Sequence, residues 1–151
     1  MFVEMELAEI QMSEFVNHHQ VIILREKGGA RSFPIFIGFF EATAMEISIK
    51  KHKTPRPMTH DLIYNIIDGC GLELKRILVD QLKRDTFYGK LVIQNENGEE
   101  ILIDARPSDA IVLASKRKLP IFVHEDVLDQ VTRYADDEGE EDNPFDSLEE
   151  E

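Results

Sequence analysis

Ile101-Leu102-Ile103-Asp104-Ala105-Arg106-Pro107-Ser108-Asp109-Ala110-Ile111-Val112-Leu113-Ala114 reads as a short strand running through a proline-bearing turn into a helix. Three apolar residues in a row, with β-branched Ile on either side, suit a strand covered on both faces. Pro107 has no place in a helix interior but fits a first helical position, where no amide donor is needed. Beyond it Ala110, Ile111, Leu113 and Ala114 form an apolar stripe at helical spacing. Lys116, Arg117 and Lys118 then suit the negative end of the helix dipole. Asp104, Arg106, Ser108 and Asp109 therefore crowd one strand-to-helix junction, a place where rigid scaffolds present chemistry. The same residues also read as helix caps, with Arg106 pairing locally to Asp104 or Asp109.

Outward from this junction the chain reads as an α+β domain. An alternating strand covers Phe2 to Met12, its phase shifting between Leu7 and Ala8 as at a bulge. Strands at Val21 to Leu24 and Ser32 to Gly38 flank a turn at Glu26 to Ala30. A helix follows from Phe39 to Lys50, with Glu41 in its first turn. A second helix opens at Met58-Thr59-His60-Asp61, with Thr59 as its cap and Leu62, Ile63, Ile66, Ile67 and Cys70 as its buried face. Strands at Glu73 to Gln81, Thr86 to Gln94 and Glu99 to Ala105 precede the Pro107 helix. A strand at Leu119 to Val123 and a helix at Glu125 to Tyr134 close the fold. This order predicts a mixed, largely antiparallel sheet with about four helices in one compact domain.

The net charge of −13 is misleading, because ten acidic residues and no basic ones fall within 135–151. Residues 1–134 carry 20 acidic against 17 basic side chains. The domain is therefore expected over 1–134, and 135–151 as an acidic, disordered tail. The single Cys70 excludes an internal disulfide and fits a reducing cytoplasm. No apolar run is long enough to span a bilayer, which argues against a membrane partner.

No Gly-rich phosphate loop, zinc-ligand Cys pair or Gly-x-Ser-x-Gly elbow occurs. What remains is a constellation at helix starts: Glu41, His60, Asp61, Asp104, Arg106 and Asp109. Brought together, they would form an oxygen-rich pocket with one imidazole and one guanidinium, a set that suits Mg²⁺ or Mn²⁺. Glu41, Asp104 and Asp109 are the expected metal ligands. His60, Asp61, Asp104, Arg106 and Asp109 are the expected catalytic residues, with Arg106 steadying charge on a phosphorane. Glu41 is equally accounted for as a dipole-favoured carboxylate. Lys50, Lys51, Lys53 and Arg56, on a loop stiffened by Pro55 and Pro57, would hold a nucleic-acid backbone or simply form a solvated linker.

Three blocks together, Pro34-Ile35-Phe36-Ile37-Gly38 with Glu41-Ala42, Arg56-Pro57-Met58-Thr59-His60-Asp61-Leu62, and Asp104-Ala105-Arg106-Pro107-Ser108-Asp109-Ala110, resemble the bifunctional nuclease (BFN) domain family. The likeness runs from Phe2 to about Tyr134. It implies a compact α+β domain that tends to self-associate, a homodimer being the simplest form. It also implies nuclease activity on DNA and RNA. The alternative is a non-catalytic, self-associating domain that binds a protein or a small anion at its helix starts.

Overall fold

The computed structural model of the chain describes residues 1–13 and 19–137. It is an α+β domain built on one mixed seven-stranded sheet and four helices. The elements are β1 (Phe2–Gln11), β2 (Gln20–Glu26), β3 (Ser32–Ile37), α1 (Phe39–Ile49), α2 (Thr59–Gly69), β4 (Glu73–Lys83), β5 (Thr86–Gln94), β6 (Glu100–Ala105), α3 (Pro107–Arg117), β7 (Ile121–His124) and α4 (Glu125–Asp137). The strand order is β3-β2-β1-β7-β4-β5-β6. Among the described residues only β4 and β7 pair in parallel, with Ile77 opposite Ile121 and Val79 opposite Val123. The pairing register of β1 with β2 shifts between Leu7 and Glu9, where the apolar phase changes in the sequence.

Side-chain alternation sends Met5, Leu24, Phe33, Ile35, Ile77, Val79, Leu91, Ile121 and Val123 to one core face. The sheet curls enough for Phe33 of β3 to meet the ring of Phe87 at the start of β5, with centroids 5.7 Å apart. Inside this curl lies α3, whose Ala110, Ile111, Val112, Leu113 and Ala114 are all essentially inaccessible to solvent. A helix apolar around most of its girth belongs in such a position. Pro107 is its first residue, Arg106 its N-cap, and Lys118 ends it in the left-handed conformation at φ 53°.

Five expectations are corrected. The Ile101–Ile103 run is not covered on both faces: β6 is an edge strand, and the three side chains are 41–59% exposed. On α2 the core takes Tyr64 and Ile67, while Leu62 and Ile66 are exposed. The reason is polar: the Tyr64 hydroxyl donates to the Leu113 carbonyl of α3, and the Arg117 guanidinium lies over its ring. Cys70 is exposed rather than buried. The cap of α2 is Met58, whose backbone N–H donates to Asp61 Oδ2 at 2.9 Å, and Thr59 is already helical. The last helix runs to Asp137, three residues into the stretch assigned to the tail. Residues 138–151 of that stretch lie outside the described residues.

Candidate active site at three helix starts

The N-terminal ends of α1, α2 and α3 converge because α3, held inside the sheet, packs against both other helices. Each start delivers its polar residue by local sequence. Gly38 caps α1, and a Cβ there would collide with the Glu41 carboxylate, so the glycine lets Glu41 fold back over the helix start. The Met58 cap places His60 in the first turn of α2. The Pro107 turn places Arg106 as the cap and Asp109 in the first turn of α3. At the same junction Gly89 of β5 lets the backbones close up, since a Cβ on it would stand 2.9 Å from the Ala105 carbonyl.

Four of these side chains form one network. His60 Nε2 lies 3.0 Å from Asp109 Oδ1. An ionised carboxylate can only accept, so this contact fixes the imidazole proton on Nε2 and leaves Nδ1 as the acceptor. Arg106 donates from Nε to Asp109 Oδ2 at 2.8 Å and from Nη2 to Oδ1 at 3.2 Å. Its Nη1 reaches across to Glu41 Oε1 at 3.0 Å. Burial pushes the Asp109 carboxyl up, but hydrogen bonds from Arg106 and His60 outweigh it and hold the group below the usual aspartate value. Arg106 is held further toward its charged form by Asp109 and Glu41.

The network borders a cleft of about 320 Å³ whose apolar wall is Phe40, Ala44, Ile47 and Met58. Glu41 and Arg106 also line a neighbouring hollow of about 330 Å³ against Thr86 and Phe87, so their ion pair forms the ridge between the two. His60 is mostly buried at 12% side-chain exposure, whereas Arg106 is 62% exposed. Two guanidinium N–H donors, one on each terminal nitrogen, remain beyond the three in use.

Two of the expected catalytic residues stand elsewhere. Asp104 is 80% exposed and pairs with Lys90 at 3.4 Å on the opposite face of the sheet. Strand alternation fixes this: Asp104 shares its face with Leu102, away from α3. Asp61 closes the cap of α2 and pairs with Lys116 Nζ at 2.7 Å, and that lysine together with the Met58 N–H lowers its pKa. The basic residues Lys50, Lys51, Lys53 and Arg56 are all exposed, and none lines the cleft, although their loop leads straight into Met58 and Thr59 on its rim. Lys50 pairs with Glu46 on α1.

The described arrangement does not fit the expected Mg²⁺ or Mn²⁺. Among the described residues no group of three or more His, Cys, Asp and Glu is arranged to hold a metal ion. The guanidinium of Arg106 stands between Glu41 and Asp109, where a shared cation would have to be. The residues missed in the sequence are Phe40, Met58 and the two glycines. A glycine within a strand, like Gly89, was the available signal of close backbone approach.

A histidine–carboxylate pair lies beside an arginine where three helix starts converge. A family model, the bifunctional nuclease domain, matches residues 22–136, and the chain belongs to this family. It is 39% identical over 121 residues to an uncharacterized protein of Mycobacterium tuberculosis, covering 80% of this chain and 71% of that one. It is 29% identical over 106 residues to Bifunctional nuclease 2 of Oryza sativa, covering 68% of this chain and 33% of that one. Bifunctional nuclease 1 of Arabidopsis thaliana is 22% identical over 115 residues, with 75% and 35% covered. The chain thus spans about a third of the plant proteins. Among the described residues no helix is long and apolar enough to cross a membrane.

Proposed function

We propose that the protein is a nuclease that hydrolyses phosphodiester bonds of DNA and RNA at the cleft between α1, α2 and α3. The observation that carries this is His60, held through Nε2 by Asp109 with its Nδ1 left to accept a proton. In the reaction, Nδ1 takes a proton from water as the water oxygen bonds to phosphorus. The bond from phosphorus to the leaving oxygen breaks, and that oxygen takes back the proton from the imidazolium. Arg106 turns its two remaining donors to the phosphoryl oxygens as their charge grows. Asp109 holds the ring in one tautomer and stabilises the imidazolium without itself taking a proton.

Phe40, 74% exposed on the wall of the cleft, offers a face on which an unpaired base can stack. Lys51, Lys53 and Arg56 would hold neighbouring phosphates along the rim, which makes binding sensitive to salt. Single-stranded substrate suits this arrangement best. A lone exposed Cys70 fits a reducing compartment such as the cytoplasm.

The test is to mix purified full-length protein with single-stranded RNA and DNA, with and without a chelator, beside His60→Ala. Cleavage in the presence of chelator that disappears in the variant supports the scheme. Loss on chelation that Mg²⁺ or Mn²⁺ restores would mean that Arg106 yields its place to a cation.

One observation favours a second reading. Arg106 already bridges two carboxylates from two helices, as a purely structural arginine would. On that reading Arg106→Ala lowers the melting temperature sharply and there is no activity to lose.

A further inference from the structure

The ion pair of Arg106 with Glu41 separates two depressions, and the proposed chemistry occupies only the one that Phe40 walls. The other, of about 330 Å³, is bounded by the end of β3, the start of α1, the first turn of α3 and the tip of the β4–β5 hairpin. That is the size of a small-ligand pocket. Its lining mixes Ile35, Ile37 and Phe87 with Thr86, Ser108 and Asp85.

The hairpin tip sets this hollow apart. Lys83 pairs with Thr86, so Arg84 and Asp85 alone make the turn. Both stand in the left-handed region, at φ 50° and 61°. A two-residue turn of this kind favours Asn-Gly, and a side chain with a Cβ is strained there. The β2–β3 and β5–β6 turns meet the same demand with glycine, Gly28 at φ 74° and Gly98 at φ 81°. Here the chain keeps two charged residues instead. Among the described residues the side chains of Lys83, Arg84 and Asp85 make no hydrogen bond or ion pair, so no such contact offsets the strain. The result is a free carboxylate on the wall of the hollow with two free cations beside it.

We propose that the hollow takes the nucleoside next to the scissile phosphate, on the side of Arg106 away from Phe40, and that Asp85 makes this subsite select guanine. The proposal rests on the nuclease reading of the cleft. A phosphoryl group on the two remaining Arg106 donors sits on the ridge, so the nucleosides that flank it fall one into each depression. Lys83 and Arg84 then serve the next phosphate, as the 51–56 loop does at the other end. The choice of base follows from donors and acceptors. An ionised carboxylate only accepts. On the Watson–Crick edge guanine alone sets two donors side by side, N1–H and the N2 amino group, to match the two carboxylate oxygens. Adenine and cytosine each set one amino donor beside a ring-nitrogen acceptor. Uracil sets one N–H between two carbonyls. For these three bases a carboxylate oxygen meets a lone pair. In a duplex this edge is already paired, so the subsite needs a single strand.

Titration of guanosine 5′-monophosphate into the full-length protein, followed by NMR, tests the hollow without any cleavage. It should bind about tenfold more tightly than the adenosine, cytidine and uridine monophosphates, as one bidentate base contact provides. Inosine 5′-monophosphate, which keeps N1–H and lacks the amino group, should bind more weakly than the guanosine compound. Asp85→Asn should bring all five nucleotides within about twofold of one another. Asparagine suits a left-handed turn position, so the variant should melt no lower than the parent and the lost selectivity is not unfolding. In cleavage of single-stranded RNA, the parent should cut beside guanine, and Asp85→Asn should level the preference across the four bases. Equal binding of the nucleotides by the parent, selectivity that survives in Asp85→Asn, or discrimination by the 2′-hydroxyl in place of the base would each overturn the inference. Guanine-selective binding without cleavage would support the subsite and remove the nuclease reading. Cleavage without base preference would do the reverse.

Discussion

Two clusters of opposite charges stand a few residues apart along the chain and have different surroundings. On the outer face of the sheet Lys90 lies 3.4 Å from Asp104 and 3.6 Å from Asp80, a pairing within neighbouring strands. At the helix starts Arg106, Asp109, Glu41 and His60 join three helices that are distant in sequence, around a cleft with an apolar wall. Asp104 is 80% exposed and Asp109 is 28% exposed. Residue type does not separate them. The difference lies in strand alternation, which turns Asp104 outward, and in the Pro107 turn, which brings Asp109 round to the cleft. Only the second cluster contains an imidazole.

The largest contrast should come from proton transfer. His60→Ala should cut cleavage by roughly 10²–10⁴-fold, whereas Asp104→Asn should leave it within about twofold, measured as initial rates on one single-stranded substrate. Arg106→Ala should cost about 10²–10³-fold in rate. Because Arg106 is 62% exposed, its ion pairs add only about 1 kcal/mol or less to stability, so the melting temperature should fall by a few degrees at most. A sharp fall with no activity in the parent would favour the structural reading.

A third contrast lies in acid stability. The folded-state pKa of Asp109 is lowered, so its contribution is complete above the unfolded aspartate value of about 3.9 and is lost as pH falls through the depressed folded value. Asp61, lowered by Lys116 and the Met58 N–H, behaves in the same way. Denaturant unfolding across the acid range should show a shallower loss of stability in Asp109→Asn than in the parent. The smallest effect is expected from Gly38→Ala. The new methyl must displace the Glu41 carboxylate, which is a flexible side-chain end, so the fold survives while Arg106 loses one partner. A severalfold change in rate with an unchanged melting temperature is the expected outcome.

Much of this could be read before any coordinates. The Pro107 start of α3, its buried stripe and its basic last turn follow from residue order, as does the bulge after Leu7. The positions of Glu41, His60, Arg106 and Asp109 at helix starts are legible in the same way. Three things were hidden. α2 carries apolar residues around much of its girth, and periodicity cannot say which of them the core takes; the Tyr64 hydroxyl and the Leu113 carbonyl decide that. The Ile101–Ile103 run satisfies the pattern of a doubly covered strand, but a pattern cannot say whether the strand lies in the middle of the sheet or at its edge. Nor does the sequence say that Arg106 will sit between Glu41 and Asp109, because 65 residues separate Arg106 from Glu41 and only the packing of α1 against α3 closes the gap.

The most direct measurement is single-turnover cleavage of one labelled single-stranded RNA by the full-length protein, its His60→Ala variant and its Asp104→Asn variant, prepared identically. The account requires cleavage by the parent and by Asp104→Asn at similar rates, and none above background by His60→Ala. Equal cleavage by all three would remove His60 from the chemistry and take the proposed cleft with it.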